Sequence, residues 1–204
     1  MTSQIKAQII DAGMHGTEYT YSVKDYADYL LKHADEREDL AKAVPLVKAM
    51  LNYGARAQIY FDKNPADLAN ASLSEEEKAL GEVTVTAPES AIDLPDGVSF
   101  EGATLSLYFE SAKTLTFECE GKNVETVTNG KYQIARIRGI KAKELKKTFT
   151  LTVKDGEETI GTITYSPMTY CSNVLSDGTQ SEALQNVCKA LYLYAKAADS
   201  YFPD

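Results

Sequence analysis

Apolar and polar residues alternate along 4–10 (Gln-Ile-Lys-Ala-Gln-Ile-Ile), a period of two that predicts a strand. A turn with two glycines follows over 11–16, and 17–21 predicts the return strand of a hairpin. The period then changes. Val23, Tyr26, Ala27, Leu30 and Leu31 fall on one face of a helix, Ser22 stands at its N-cap, and Asp25 sits in the first turn, where the helix dipole favours an acid. The charged stretch 32–39 predicts a loop. A second helix runs from about Leu40 to Phe61 with the stripe Leu46, Met50, Tyr53, Ala57 and Phe61. Pro45 interrupts it at a cost of about 3 kcal/mol, which sets the start of the regular helix near Val44. Residues 63–81 form a connector in which Ser74 and Glu77 make a capping-box pattern, predicting a short helix over 75–80.

From 82 to 165 the pattern is β. Strands are predicted at 83–87, 104–110, 114–118, 123–128, 131–137, 148–153 and 159–165. Asn129-Gly130 and Asp155-Gly156 mark two hairpins, and 140–146 reads as a loop with one helical turn. Seven short strands with regular turn signals predict a sandwich of immunoglobulin-like type. Ser166-Pro167 is an N-cap followed by an N1 proline and opens a helix to about Leu175. Asp177-Gly178 ends it. Ser181 begins the last helix, with the stripe Leu184, Cys188, Leu191, Tyr194, Ala198 and Phe202. The expected class is α+β: an antiparallel immunoglobulin-like β-sandwich flanked by two related αα-hairpins, each preceded by a β-hairpin. The expected divisions are 1–81, 82–165 and 166–204.

The two helical regions are copies of one another. Residues 5–31 align without a gap on 149–175, matching Asp11 with Asp155, Thr20-Tyr21-Ser22 with Thr164-Tyr165-Ser166, Tyr26 with Tyr170 and Leu31 with Leu175. With a shorter inter-helix loop in the second copy, 46–61 align on 187–202. Lys48-Ala49 then matches Lys189-Ala190, Tyr53 matches Tyr194, Ala57 matches Ala198, and Tyr60-Phe61 matches Tyr201-Phe202. Shared amphipathicity explains leucine on leucine. It does not explain two matched strand-to-helix junctions and two Tyr-Phe endings in the same order. In the second copy the hairpin is the end of a sandwich. By analogy 4–21 are the last two strands of a preceding one, as in an array of self-similar units.

Segments 21–30 (Tyr-Ser-Val-Lys-Asp-Tyr-Ala-Asp-Tyr-Leu), 46–61 and 190–202, together with 140–145 and 162–167, resemble a repeat module. That module lies near the C-termini of large secreted or cell-surface proteins of anaerobic Gram-positive bacteria. No activity is assigned to it. The resemblance therefore implies location and modular context, and carries over no functional residue.

Charge narrows the partners. The formal net charge of −9 repels phosphate backbones, so nucleic acid is not an expected ligand. No run reaches the ~18 apolar residues of a membrane span. Residues 1–13 contain no secretory leader pattern, which leaves either a cytoplasmic protein or an internal piece of an exported one. Three cysteines, Cys119, Cys171 and Cys188, lack metal-ligand spacing. Cys171 and Cys188 lie at matching distances from the turn near Thr179-Gln180, and their counterparts in the first copy are the small apolar Ala27 and Val47. They are read either as two buried thiols or as a disulfide, the latter requiring Cα atoms within ~7 Å. Cys119 is left without a partner.

Chemistry is otherwise sparse. His15 falls in a turn and His33 at a helix end, outside any zinc or HExxH spacing. There is no GxSxG, no EF-hand and no phosphate loop; a loop calcium site around 93–96 is the one metal reading considered. Glu75-Glu76-Glu77 reads as a helix N-terminus. Thirteen tyrosines without a tryptophan leave Tyr19, Tyr108, Tyr132 and Tyr192 as candidate sugar-stacking residues. The expectation is a non-catalytic, cofactor-free structural or interaction module of a larger extracellular or cell-surface bacterial protein, with an unknown protein or glycan as partner. The alternative is a carbohydrate-binding accessory module of a polysaccharide-degrading protein.

Overall fold

The computed structural model describes residues 4–10, 16–85 and 96–202; for 4–10 and 16–21 it describes the backbone and not the side chains. Among these residues lie nine strands: β1 (Gln4–Ile10), β2 (Gly16–Ser22), β3 (Gly97–Glu101), β4 (Thr104–Glu110), β5 (Leu115–Cys119), β6 (Asn123–Asn129), β7 (Tyr132–Arg138), β8 (Phe149–Asp155) and β9 (Glu158–Tyr165). Five α-helices accompany them: α1 (Val23–Lys32), α2 (Glu38–Tyr60), α3 (Glu75–Lys78), α4 (Pro167–Ser176) and α5 (Glu182–Tyr201). The fold is mixed α+β with antiparallel sheets. The chain forms two compact units, one of Met1–Glu82 with Glu182–Asp204, the other of Val83–Ser181. The division falls between α4 and α5, where the sequence reading keeps 166–204 together.

In the first unit, β1 and β2 make an antiparallel hairpin with Ile5 opposite Tyr21 and Ala7 opposite Tyr19. The chain passes directly into α1. There the Ser22 hydroxyl accepts from the Asp25 backbone N–H, and the Asp25 carboxylate accepts from the Ser22 N–H. The period predicted for this helix is the one that packs: Ala27 and Leu30 are buried against Ala43, Val47, Leu51 and Ala55 of α2 and against Ala69 and Leu73 of the connector.

α2 differs from its expectation in two ways. It begins at Glu38 and runs unbroken through Pro45. Glu38 and Asp39 suit the positive end of the helix, and Pro45 and Ala41 are both exposed, so the Ala41 carbonyl that loses its proline-side partner is not buried. The most buried stripe is Ala43, Val47, Leu51 and Ala55; of the expected stripe, Leu46, Met50, Tyr53 and Ala57 are half-buried and Phe61 is exposed. α2 has two apolar faces, one covered by α1 and the connector and the other turned to α5.

In the second unit, strands run in the order β3-β4-β7-β6 in one sheet and β5-β8-β9 in the other. Leu105 and Leu107 of β4, Ala135 and Ile137 of β7, and Phe117, Leu151 and Ile163 of the smaller sheet are buried. Phe109 and Phe117 stack from one sheet to the other at 5.0 Å. At both predicted hairpins the Asn or Asp is the last paired residue and the glycine enters the loop with positive φ, Gly130 at 60° and Gly156 at 62°. That conformation at the first loop position suits the twist of a two-residue hairpin and is open to glycine without strain. Strand β3 was not predicted from the sequence. The strand expected at 83–87 is absent over 83–85, and 86–87 lie outside the described residues. α4 begins at Pro167, with the Ser166 hydroxyl accepting from the Met168 N–H.

Candidate functional site

Two places gather polar and aromatic side chains. The first is the outer face of the four-stranded sheet. Directly paired residues share a face, so the register puts Tyr108 and Ser106 of β4 beside Ser99 of β3, with Tyr132, Ile134 and Arg136 of β7 and Glu125 of β6 on the same side. Tyr108 and Tyr132, named from the sequence as sugar-stacking candidates, meet edge to face with ring centroids 6.2 Å apart. The Tyr108 hydroxyl is hydrogen-bonded to Ser99 at 3.2 Å. Lys131 lies 5.2 Å from the Tyr132 centroid, and its ion pair with Glu110 raises its pKa. Further along the face Glu125 accepts from Arg138 and pairs with Arg136 at 3.7 Å; the Arg138 bond holds its carboxyl below the ordinary range.

This face offers hydroxyls, charges and two half-buried tyrosine rings, while Ser106 and Ile134 on it are buried. Its two rings stand at 88° to each other, so they do not form the flat, continuous platform on which successive sugar rings stack. Of the other stacking candidates, the Tyr19 side chain is outside the described residues, and Tyr192 is half-buried on α5.

The second place is the α2–α5 pair with the connector. Tyr53 of α2 stacks on Tyr194 of α5 at 6.0 Å and 13°. Burial raises the Tyr194 pKa. A groove of about 520 Å³ is lined by Lys42, Pro45 and Leu46 of α2 and by Leu193, Ala197 and Tyr201 of α5. The start of α2 therefore lies beside the end of α5, and the helices are antiparallel. Both end in an exposed Tyr-Phe pair packed edge to face at 4.8 Å, Tyr60–Phe61 and Tyr201–Phe202.

Side chains of α2 clamp the connector. Asn52 donates to the Glu77 carbonyl at 2.7 Å and accepts from Asn70 at 2.8 Å, and both asparagines are buried. Arg56 donates to the Lys78 carbonyl at 3.2 Å, and Gln58 donates to the Asp67 carbonyl while accepting from the Ala69 N–H. Glu77 caps α3 and pairs with Lys48 at 2.5 Å. The Lys48 bond, followed by the Ser74 N–H, lowers its pKa to about 2. The sequence reading missed this clamp. Its signal lay in the repeat: Asn52 and Arg56 align with the apolar Leu193 and Ala197, so the two copies differ at the residues that hold the connector.

The remaining candidates are dispersed. His33 caps the end of α1, hydrogen-bonded to Glu36 at 2.6 Å and 4.4 Å from the Tyr29 ring. His15 and residues 93–95 of the calcium reading lie outside the described residues, and the Asp96 carboxylate accepts from the Glu110 backbone N–H. Cys119, Cys171 and Cys188 are buried thiols, the first with its pKa raised by burial. Among the described residues no three His, Cys, Asp or Glu side chains gather as a metal site, and no helix is long and apolar enough to cross a membrane. Compared with family models, curated proteins and solved structures, the chain gives no match.

Proposed function

We propose that the chain is a non-catalytic structural or interaction module of a larger extracellular or cell-surface bacterial protein, assembled by tandem repetition. One observation carries this reading: the two hairpins share their register as well as their sequence. Ile5 opposite Tyr21 corresponds to Phe149 opposite Tyr165, and each hairpin runs into a helix capped by a serine, Ser22 or Ser166. Repetition of a whole supersecondary unit is the organisation of spacers and docking arrays, whose neighbours complete one another's cores. The location outside the cell rests on the resemblance of segments 21–30, 46–61 and 190–202.

The two sheets of the second unit are read as an immunoglobulin-like sandwich. Their orders, β3-β4-β7-β6 and β5-β8-β9, correspond strand for strand to ABED against CFG of the constant-type fold. That architecture suits a rigid spacer that presents its outer faces to partners.

A second reading, a carbohydrate-binding accessory module, is favoured by the meeting of Tyr108 and Tyr132 beside Ser99 and Arg136. A glycan array probed with the wild type and with Tyr108→Ala and Tyr132→Ala separates the two. The structural reading expects no saturable glycan. A glycan bound by the wild type and lost in both variants replaces it with the carbohydrate reading.

A further inference from the structure

β1 pairs with β2 and, among the described residues, with no other strand. A two-stranded hairpin is marginal in water, and its open row of backbone N–H and C=O groups is a template for another strand. The repeat shows what that edge holds in the second copy. Ile5↔Tyr21, Lys6↔Thr20 and Ala7↔Tyr19 have the register of Phe149↔Tyr165, Thr150↔Thr164 and Leu151↔Ile163. β1 therefore stands where β8 stands. β8 carries β9 on one edge and β5 on the other, with Phe117 opposite Val153 and Cys119 opposite Leu151. Phe149, Leu151 and Val153 are the buried positions of β8, and Ile5, Ala7 and Ile9 hold their places in β1.

We infer that the outer edge of β1 is a strand-addition site, and that its occupant is the β5-like strand of a sandwich preceding the hairpin in tandem. The occupant is an extended, antiparallel segment alternating apolar and polar residues, as Leu-Thr-Phe-Glu-Cys does over 115–119. The residue in the place of Phe117 lies opposite Ile9, and the one in the place of Cys119 lies opposite Ala7. Main-chain hydrogen bonds supply the attraction, and the alternating side chains set the register. This rests on the tandem reading above.

The test is hydrogen exchange on the full chain, alone and with a synthetic peptide of residues 112–121 carrying Cys119→Ser. The control is the same peptide with Phe117→Pro, which cannot extend a ladder. Amides of 4–10 are expected to exchange fast in the chain alone and to slow at least about tenfold, saturably, with the first peptide and not with the second, while 149–155 stay unchanged. Three results overturn the inference: protection of 4–10 equal to that of 149–155 in the monomeric chain alone, no slowing at saturating peptide, or slowing that follows chain concentration without peptide, which makes a second copy the occupant. The glycan array reads the outer face at Tyr108 and this experiment reads the β1 edge, so failure of one is separate from failure of the other.

Discussion

Tyr53 and Tyr194 occupy the same position in the two copies of the repeat, and they stack on each other. Two antiparallel helices of matching sequence pattern bring equivalent residues face to face at one level only, where an approximate two-fold axis crosses the pair. The tyrosine stack marks that level. The α2–α5 contact is thus built like an isologous dimer interface within one chain, each helix offering the same patch to the other.

Coupling between the rings follows from the stack. Tyr53→Ala and Tyr194→Ala each destabilise the chain, and the double variant is expected to cost less than the sum by about 1 kcal/mol. Denaturant melts of the four proteins give the cycle. Additive losses would dissolve the stack as an energetic unit. Because burial raises the Tyr194 pKa, Tyr53→Ala should also bring the Tyr194 phenol back toward its ordinary range in an ultraviolet titration.

Asn52→Leu installs the residue that the repeat carries at position 193 and removes the centre of the clamp. It strands the Asn70 amide and the Glu77 carbonyl, which Asn52 now serves at 2.8 and 2.7 Å. A loss of about 1–3 kcal/mol is expected, the cost of buried polar groups left unpaired. The corresponding Leu193→Asn has no connector to hold, and exchange protection over 68–78 should fall only in the first variant.

How much of this was legible follows the same division. Strands β4 to β9 and the starts of α1 and α4 are written locally, as alternation, Asn-Gly and Asp-Gly turns, and Ser22 and Ser166 at the strand-to-helix junctions. The missed strand β3 has Gly97 and Ser99 on the face where Tyr108 lies, with Gly97 directly opposite Tyr108, so its outward positions carry little pattern. The α2 stripe was misplaced because the helix has two apolar faces, and a single-period search selects one. The face with Leu51 and Ala55 is apolar because the connector covers it. In α5 the same positions are Tyr192 and Lys196.

The caps predict a simple pair of losses. Ser22→Ala removes the acceptor for the Asp25 N–H and Ser166→Ala the acceptor for the Met168 N–H. Each is expected to cost about 1 kcal/mol, with Thr restoring part of it at either position and Asp only at the partly exposed Ser22, since Ser166 is buried. Unchanged denaturation midpoints in both variants would show that the junctions are held by other contacts.

Glu77 ties the clamp to pH. Its folded pKa is lowered from 4.5 to about 2, chiefly by Lys48 and then by the Ser74 N–H. A lowered carboxylate contributes stability that is present above its unfolded pKa and is lost as pH falls through the folded value. Lys48→Met should raise the Glu77 midpoint in a carboxyl-resolved NMR titration and move the acid limb of unfolding to higher pH. A midpoint unmoved by that substitution would remove Lys48 as the cause.

One contribution to the alkaline limb comes from Tyr165, the last residue of β9, which is 4% exposed. Burial pushes its phenol from 10 to about 12, against a hydrogen bond with Asn173 that acts the other way. A phenol raised in the folded state contributes stability that is complete below the unfolded value of 10 and is lost as pH rises through about 12. The unfolded chain ionises first, and the native state must hold a neutral phenol where water would accept a charged one. The informative quantity is the difference between the wild type and Tyr165→Phe. The variant loses the Asn173 bond and is less stable near neutrality. Its stability should then fall less steeply between about pH 10 and 12, the gap between the two proteins closing by a few kcal/mol at most. Parallel stability curves across that interval would mean that Tyr165 ionises in the folded chain as readily as in the unfolded one, and that its burial is relieved by opening at the β9–α4 junction.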